Sequence, residues 1–170
     1  MRETCLAGLG MVSLLVLTGC TRQTGAEMRT YPLGTRVQVG TLLYTVFDTQ
    51  WFTQLGEGLD ARIPEHRFFL IRLSVVNTGG REFLVPPLTL ADEDGNTYSE
   101  LSNGERIPMW TGLLRSVRQG ETLQGNVAFD VPPRHYKLKI NDETEQKAAW
   151  VEIPLTFGPE TPEAPPLERR

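Results

Sequence analysis

The stretch FFLIRLSVVNTGG, residues 68–80, decides the fold class because its apolar side chains recur at alternate positions. Every second residue from 69 to 75 is apolar, whereas Arg72 and Ser74 fall between them. A period of two residues is typical of a β-strand that packs one face over a core. The asparagine and glycines at 77–80 are a turn signal. The stretch therefore predicts a central strand that ends in a turn.

The same pattern recurs on both sides of this stretch. Leu42–Phe52 is rich in aromatic and β-branched residues, and alternating runs follow at 122–131, 136–140 and 151–155. No window shows a long helical stripe, and we expect at most a helical turn at 142–149. Short strands with frequent turns predict an all-β fold, a sandwich of two antiparallel sheets. Turn-forming residues separate the runs at Asp94-Gly95-Asn96, Gln119-Gly120, Pro132-Pro133 and Asn141-Asp142.

The N-terminus has the layout of an export signal. A charged start precedes an apolar stretch, 6–17, that is shorter than the ~20 residues needed to span a bilayer. LTGC at 17–20 resembles the lipobox of bacterial lipoproteins. The resemblance implies that 1–19 is a signal peptide and that Cys20 receives a diacylglyceryl group and usually a further acyl chain. The alternative is an ordinary leader in which Cys20 falls by chance.

The rest of the chain divides into a tether, one domain and a tail. We expect a lipidated cysteine and tether at 20–30, a β-sandwich at 31–157 and a disordered, Pro- and Glu-rich tail at 158–170. Removal of the leader takes away Cys5, and lipidation uses the other of the two cysteines, so no disulfide is expected. The net charge is −4 and the cations are scattered, which argues against nucleic acid as a partner.

Three segments together resemble a bacterial family of exported domains, often lipoproteins, that is grouped as a domain of unknown function. The segments are FFLIRLSVVNTGG at 68–80, LADEDGNTY at 90–98 and QGETLQGNVAFDVP at 119–132. The likeness extends over 37–155. The family shares the immunoglobulin-like fold of a mycobacterial immunoprotective secreted antigen. The resemblance therefore implies an immunoglobulin-like antiparallel β-sandwich without enzymatic activity, and it implies no ligand.

The acidic run at 92–96 offers oxygen atoms of the kind that Ca²⁺ prefers. Its spacing is wrong for a calcium loop, because the twelfth position counted from Asp92 is Asn103 rather than glutamate. Gly95 stands where a tight turn requires it. The run therefore predicts a hairpin turn, and we expect neither a metal nor a cofactor.

The sequence shows no motif of a catalytic site. His66 and His135 are the two histidines of the chain, and we expect both to be surface loop residues. A hydrolase would need a nucleophile and a base held by an acid, for which Ser116, His135 and Asp130 are the available set. No nucleophile-elbow motif surrounds Ser116. We therefore expect a protein that is not an enzyme.

The segment RIPMWTGLLRSV, 106–117, lacks clean alternation and combines apolar residues with arginine. Exposed tryptophan beside arginine is the composition of an interaction hot spot. Met109, Trp110 and Arg115 are therefore predicted to form part of a partner-binding surface. The alternative is that Trp110 caps the sandwich.

Together these patterns predict a lipid-anchored protein of the cell envelope with a non-catalytic binding domain. The expected partners are the membrane, through Cys20, and an envelope protein. We expect the outer membrane in a Gram-negative cell and otherwise the outer face of the plasma membrane. The alternative function is small-molecule or ion binding, and a purely structural envelope component stays open as well.

Overall fold

The computed structural model describes residues 28–156, and within them strands account for nearly all regular structure. A single turn of 3-10 helix, Gly58–Asp60, interrupts the strands. In the described residues no helix is long and apolar enough to cross a membrane. The strands are β1 Thr30–Pro32, β2 Arg36–Val39, β3 Leu42–Phe52, β4 Phe68–Asn77, β5 Phe83–Val85, β6 Thr89–Ala91, β7 Thr97–Ser99, β8 Arg115–Val117, β9 Thr122–Asp130, β10 Tyr136–Asn141 and β11 Ala148–Ile153.

The strands form two packed sheets and a ribbon. The five-stranded sheet has the order β1-β11-β10-β6-β7, the four-stranded sheet has the order β2-β3-β4-β9, and β5 pairs with β8. All neighbours are antiparallel except β1 and β11, which run parallel. The all-β sandwich predicted from the alternating runs is confirmed.

The main core lies between the two sheets, and the alternation of β4 shows how it forms. Phe69, Ile71, Leu73 and Val75 face the five-stranded sheet, and each is at most 1% exposed. Burying one large apolar side chain contributes about 1.5–3 kcal/mol. Contacts of this kind stabilise the domain without a disulfide among the described residues.

A second, smaller apolar cluster covers the outer face of the four-stranded sheet. Phe68 and Leu70 project to this face, and Leu55, Ile107 and Trp110 pack on it. The covering residues come from two loops, which we call the first cover loop (53–67) and the second cover loop (101–114). Strand β4 is therefore buried on both faces, as a central strand with few polar residues requires.

Two local expectations differ from the structure. Residues 142–147 form a hairpin loop instead of a helical turn, because the Asp142 carboxylate accepts hydrogen bonds from the amides of Gln146 (2.9 Å) and Lys147 (3.2 Å). Strand β11 ends at Ile153, so Leu155 does not continue it. The predicted leader, the lipidated Cys20 and the tail at 158–170 lie outside the described residues.

The loops gather at two ends of the sandwich. At the proximal end, where the described chain begins, Met28 lines a cleft together with Gly40 and the 142–147 hairpin loop. At the distal end, Arg134 lies 3.2 Å from Asp92 of the β6–β7 hairpin. The described chain begins at the proximal end and leaves β11 at the distal end.

Candidate functional site

A buried ion pair joins the two ends of the second cover loop. Glu100 immediately precedes the loop and Arg115 immediately follows it. The Arg115 guanidinium donates to both carboxylate oxygens of Glu100, at 2.8 Å and 2.6 Å. The Arg115 side chain is 2% exposed and the Glu100 side chain is 0% exposed. The Leu88 amide also donates to Glu100, and the Gly112 carbonyl accepts from Arg115 at 2.6 Å.

This geometry fixes both ends of the loop. Removing a charge from water costs several kcal/mol, and a buried pair offsets that cost only with good geometry and further hydrogen bonds. The fork-to-fork contact between Arg115 and Glu100 has that geometry. The loop residues between them are therefore held in one arrangement at their shared base.

The structure separates the three residues predicted to bind a partner. Met109 is 64% exposed, Trp110 is half-buried in the second cluster, and Arg115 is 3% exposed. The expectation that Arg115 lies on a surface is wrong, because its guanidinium is buried in the ion pair with Glu100. Trp110 caps the outer face of the four-stranded sheet, as the alternative proposed. Partner binding at Met109 and Trp110 stays a prediction.

The second cover loop also closes the edge of the four-stranded sheet. The Asn126 amide of β9 donates to the Met109 carbonyl at 2.8 Å, and the Thr111 amide donates to the Asn126 carbonyl at 3.1 Å. A side chain at Gly125 would place its Cβ 2.2 Å from the same Met109 carbonyl. An unpaired edge invites association with other strands, so this pairing protects β9.

Four large apolar side chains stay exposed on the two cover loops, and we call them the apolar cover. They are Leu59 (107% exposed), Ile63 (68%), Met109 (64%) and Leu114 (87%). The loops touch each other, since Arg62 donates to the Asn103 carbonyl at 2.8 Å. Single exposed apolar residues are common, but several on adjoining loops are typical of an interaction surface.

The acidic run is a hairpin, as predicted. The Asp92 carboxylate accepts from the amides of Asp94 (3.0 Å) and Asn96 (2.8 Å) and from the Tyr98 hydroxyl (3.1 Å). Arg134 pairs with the same carboxylate at 3.2 Å. Its oxygens therefore already have partners within the chain. Across 28–156, no group of three or more His, Cys, Asp and Glu residues is placed to hold a metal ion.

A cleft of about 350 Å³ lies beside this hairpin at the distal end. Lys137 and Glu152 line it, and His135 is shared with two adjoining clefts. Asp92 and Glu93 also line it, so three carboxylates face the single lysine. The cleft therefore favours a zwitterionic or polar small molecule over a simple anion.

The residues of the hydrolase alternative lie in different surroundings. The Ser116 hydroxyl donates to Glu82 at 2.5 Å, and no hydrogen bond within the described part of the chain joins Ser116 to His135. His66 lies 3.9 Å from Asp130, and both histidines are exposed, as the sequence predicted.

We expect Glu100→Gln to destabilise the domain by about 3–5 kcal/mol, because it leaves the Arg115 charge buried without its partner. Chemical denaturation measures this loss. Glu105→Gln, on an exposed residue of the same loop, is the matched control and should change stability by less than about 0.5 kcal/mol. Equal stability of Glu100→Gln and wild type would contradict the assigned role of the pair.

We expect Asp92 to contribute to the pH dependence of stability. The hydrogen bond from the Asn96 side chain, with those from the Asn96 and Asp94 amides and Tyr98, holds the pKa of Asp92 below its ordinary value. The contribution is therefore present above the unfolded pKa of about 3.9 and is lost as the pH falls through the folded pKa.

Asp92→Asn should lower the free energy of unfolding at neutral pH and flatten the fall of that free energy as the pH drops below about 3.9. Denaturant titrations at a series of pH values measure this slope. The control is Glu93→Gln, an exposed neighbour in the same hairpin, which should keep the wild-type slope. An unchanged slope in Asp92→Asn would refute the assignment.

Several solved structures share this fold at low sequence identity. The yjhA protein of Bacillus subtilis superposes with a TM-score of 0.56 at 14% identity, covering 73% of this chain and 99% of that one. The secreted protein MPT63 of Mycobacterium tuberculosis gives a TM-score of 0.51 at 18% identity, over 75% and 98% of the two chains. The ycdA protein of Bacillus subtilis, described as a candidate lipoprotein, gives 0.53 at 16%, over 71% of this chain and 38% of its own.

These identities show a common fold and nothing further. No curated protein sequence matches the chain. The family model of a domain of unknown function, DUF4352, matches residues 31–149. This range contains all three motif segments singled out in the sequence. The chain therefore belongs to the DUF4352 family.

Proposed function

We propose that the chain is a lipid-anchored, non-catalytic binding protein of the bacterial cell envelope. The observation that carries the binding role is the apolar cover, four exposed side chains on two loops that touch each other. The export signal and LTGC at 17–20 support the anchor. Similarity in fold to a secreted protein and to a candidate lipoprotein is consistent with a location outside the cytoplasm.

The anchor would act through acyl chains on Cys20. Each buried CH₂ contributes about 0.8 kcal/mol, and two or more chains hold a protein on a membrane stably. Confinement to the membrane raises the effective concentration of the domain towards envelope partners. In a Gram-negative cell this is the outer membrane, and otherwise it is the outer face of the plasma membrane.

The second cover loop supports binding because its shape is set in advance. The Glu100–Arg115 pair fixes its ends, and Asn126 holds its centre by two backbone hydrogen bonds. Met109 has a left-handed backbone, with φ of 48°, which costs a non-glycine residue on the order of 1–2 kcal/mol. A loop ordered before binding loses little further entropy when a partner docks. Met109 is thus presented to a partner by a rigid support.

A specific observation favours the alternative function, small-molecule binding. The cleft of about 350 Å³ at the distal end combines Lys137, Glu152 and an exposed His135. A ligand of that site would raise the melting temperature of the wild-type protein and not of a Lys137→Glu variant. Stabilisation of this kind, without a protein partner at the apolar cover, would replace the binding role proposed here.

We expect Cys20→Ser to abolish lipidation. In cells fed radiolabelled palmitate, the wild-type protein should carry the label and sediment with the membranes, whereas the variant should carry none. Cys5→Ser is the matched control, because it alters the cysteine that the leader would remove. Equal labelling of Cys20→Ser and wild type would refute the anchor.

We expect a photoreactive residue at position 109 to crosslink to one dominant envelope protein in intact cells. The matched control is position 137, because Lys137 is exposed on β10 in the five-stranded sheet, whereas the cover loops lie on the outer face of the four-stranded sheet. Mass spectrometry identifies the adducts. The same diffuse adducts at both positions would show that the apolar cover is not a specific binding surface.

A further inference from the structure

The proximal end of the sandwich carries a cleft of about 440 Å³ whose lining is rich in cations. Arg29, Lys139 and Lys147 contribute from three different elements, and Glu145 is the one carboxylate in the lining. Met28, where the described chain begins, lines the cleft too and is 39% exposed. The cleft therefore lies next to the chain that leads back to Cys20.

The outer face of the five-stranded sheet continues this surface. Lys139 of β10 and Trp150 of β11 are register partners, and Thr30 of β1 lies beside Trp150. Their neighbours along β10 and β11 are buried in the main core, so Lys139 and Trp150 project to the opposite face. Trp150 is half-buried on that face, and neither apolar cluster contains it.

The cations of this surface are not held in ion pairs, although Glu145 lines the same cleft and the Glu143 carboxylate lies beside Gly40. Among the ion pairs of residues 28–156, none involves Arg29, Lys139 or Lys147. The chain as a whole carries a net charge of −4, so the three cations around this cleft have the opposite sign to the net charge of the protein. Each lysine or arginine near an anionic membrane surface contributes about 1 kcal/mol to the free energy of membrane binding. Tryptophan with lysine and arginine is typical of residues that lie at a membrane interface.

The length of chain between anchor and domain brings this surface to the membrane. Eight residue steps separate Cys20 from Met28, and a fully extended chain of that length spans at most about 29 Å. The ten residues of β4 alone extend about 34 Å from one end of the sandwich towards the other. A tether this short keeps the proximal end near the bilayer.

We propose that the proximal cleft and the adjoining outer face of the five-stranded sheet dock on anionic phospholipid headgroups of the membrane to which Cys20 is anchored. This inference rests on the proposed lipid anchor. Arg29, Lys139 and Lys147 contact the phosphates, and Trp150 lies at headgroup depth. The cover loops lie on the outer face of the other sheet, so docking turns the apolar cover away from the bilayer.

The test uses the lipidated full-length protein, purified from membranes and reconstituted into vesicles. Vesicles contain equal fractions of brominated phosphatidylglycerol, which is anionic, or brominated phosphatidylcholine, which is zwitterionic. Bromine quenches tryptophan fluorescence at close range. All three tryptophans are partly buried, but Trp51 lies at the distal end of β3 and Trp110 on the outer face of the four-stranded sheet. In the docked orientation Trp150 is therefore the tryptophan that faces the brominated lipid. We expect stronger quenching in phosphatidylglycerol, and its reduction in high salt, which screens the attraction.

Trp150→Phe should remove the quenching, and Lys139→Glu with Lys147→Glu should reduce it to the phosphatidylcholine level. The matched control is Arg36→Glu with Arg118→Glu, two exposed cations outside the cleft, which should keep wild-type quenching. Melting temperatures verify that each variant is folded.

Vesicle flotation separates the two proposals. A protein that floats without preferential quenching in phosphatidylglycerol overturns the docking and leaves the anchor intact. Equal quenching in the double lysine variant and in wild type also overturns the docking. A purified protein that carries no lipid and does not float overturns the anchor and the docking together.

Discussion

Burial of β4 on both faces is the constraint on which the other parts of this structure depend. One face of the strand fills the main core, and the other places Phe68 and Leu70 on the outside of the four-stranded sheet. Water-exposed side chains of that size would cost stability, so the chain must supply a cover. The two cover loops supply it. They are long because they reach across a sheet, and they are the segments that carry the apolar cover.

Covering a sheet with loops requires that the loops be held in place. The second cover loop is fixed at its base by Glu100 and Arg115, in its middle by Asn126, and beneath by Trp110, whose ring lies against Gly104. A Cβ on Gly104 would come within 1.8 Å of that ring. The polar interactions therefore fix the loop and the apolar ones cover the sheet. One segment serves stability and presents the side chains proposed to bind a partner.

Local patterns explain which parts of this architecture could be predicted from the sequence. Strands of six or more residues repeat their alternation often enough to be recognised, and β3, β4, β9 and β10 lie where the patterns placed them. Strand β11 covers 148–153 instead of the predicted 151–155. The three-residue strands β5 to β8 give too little periodicity, since their pairing is decided by the packing around them. The Asp92 hairpin was predictable because its hydrogen bonds come from residues within six positions. Arg115 was misjudged because its partner, Glu100, is fifteen positions away and no local spacing marks a long-range ion pair.

The parallel pairing of β1 with β11 has a mechanical consequence. Strand β1 begins at the proximal end, and β11 leaves towards the distal end, with Tyr31 beside Val151 in the middle of the pair. A pull applied between the proximal and distal ends would act along both strands in opposite directions. Their hydrogen bonds would then share the load in shear, instead of opening one after another as in a zipper. Among the described strands, the first and the last therefore resist a force applied between the two ends of the domain.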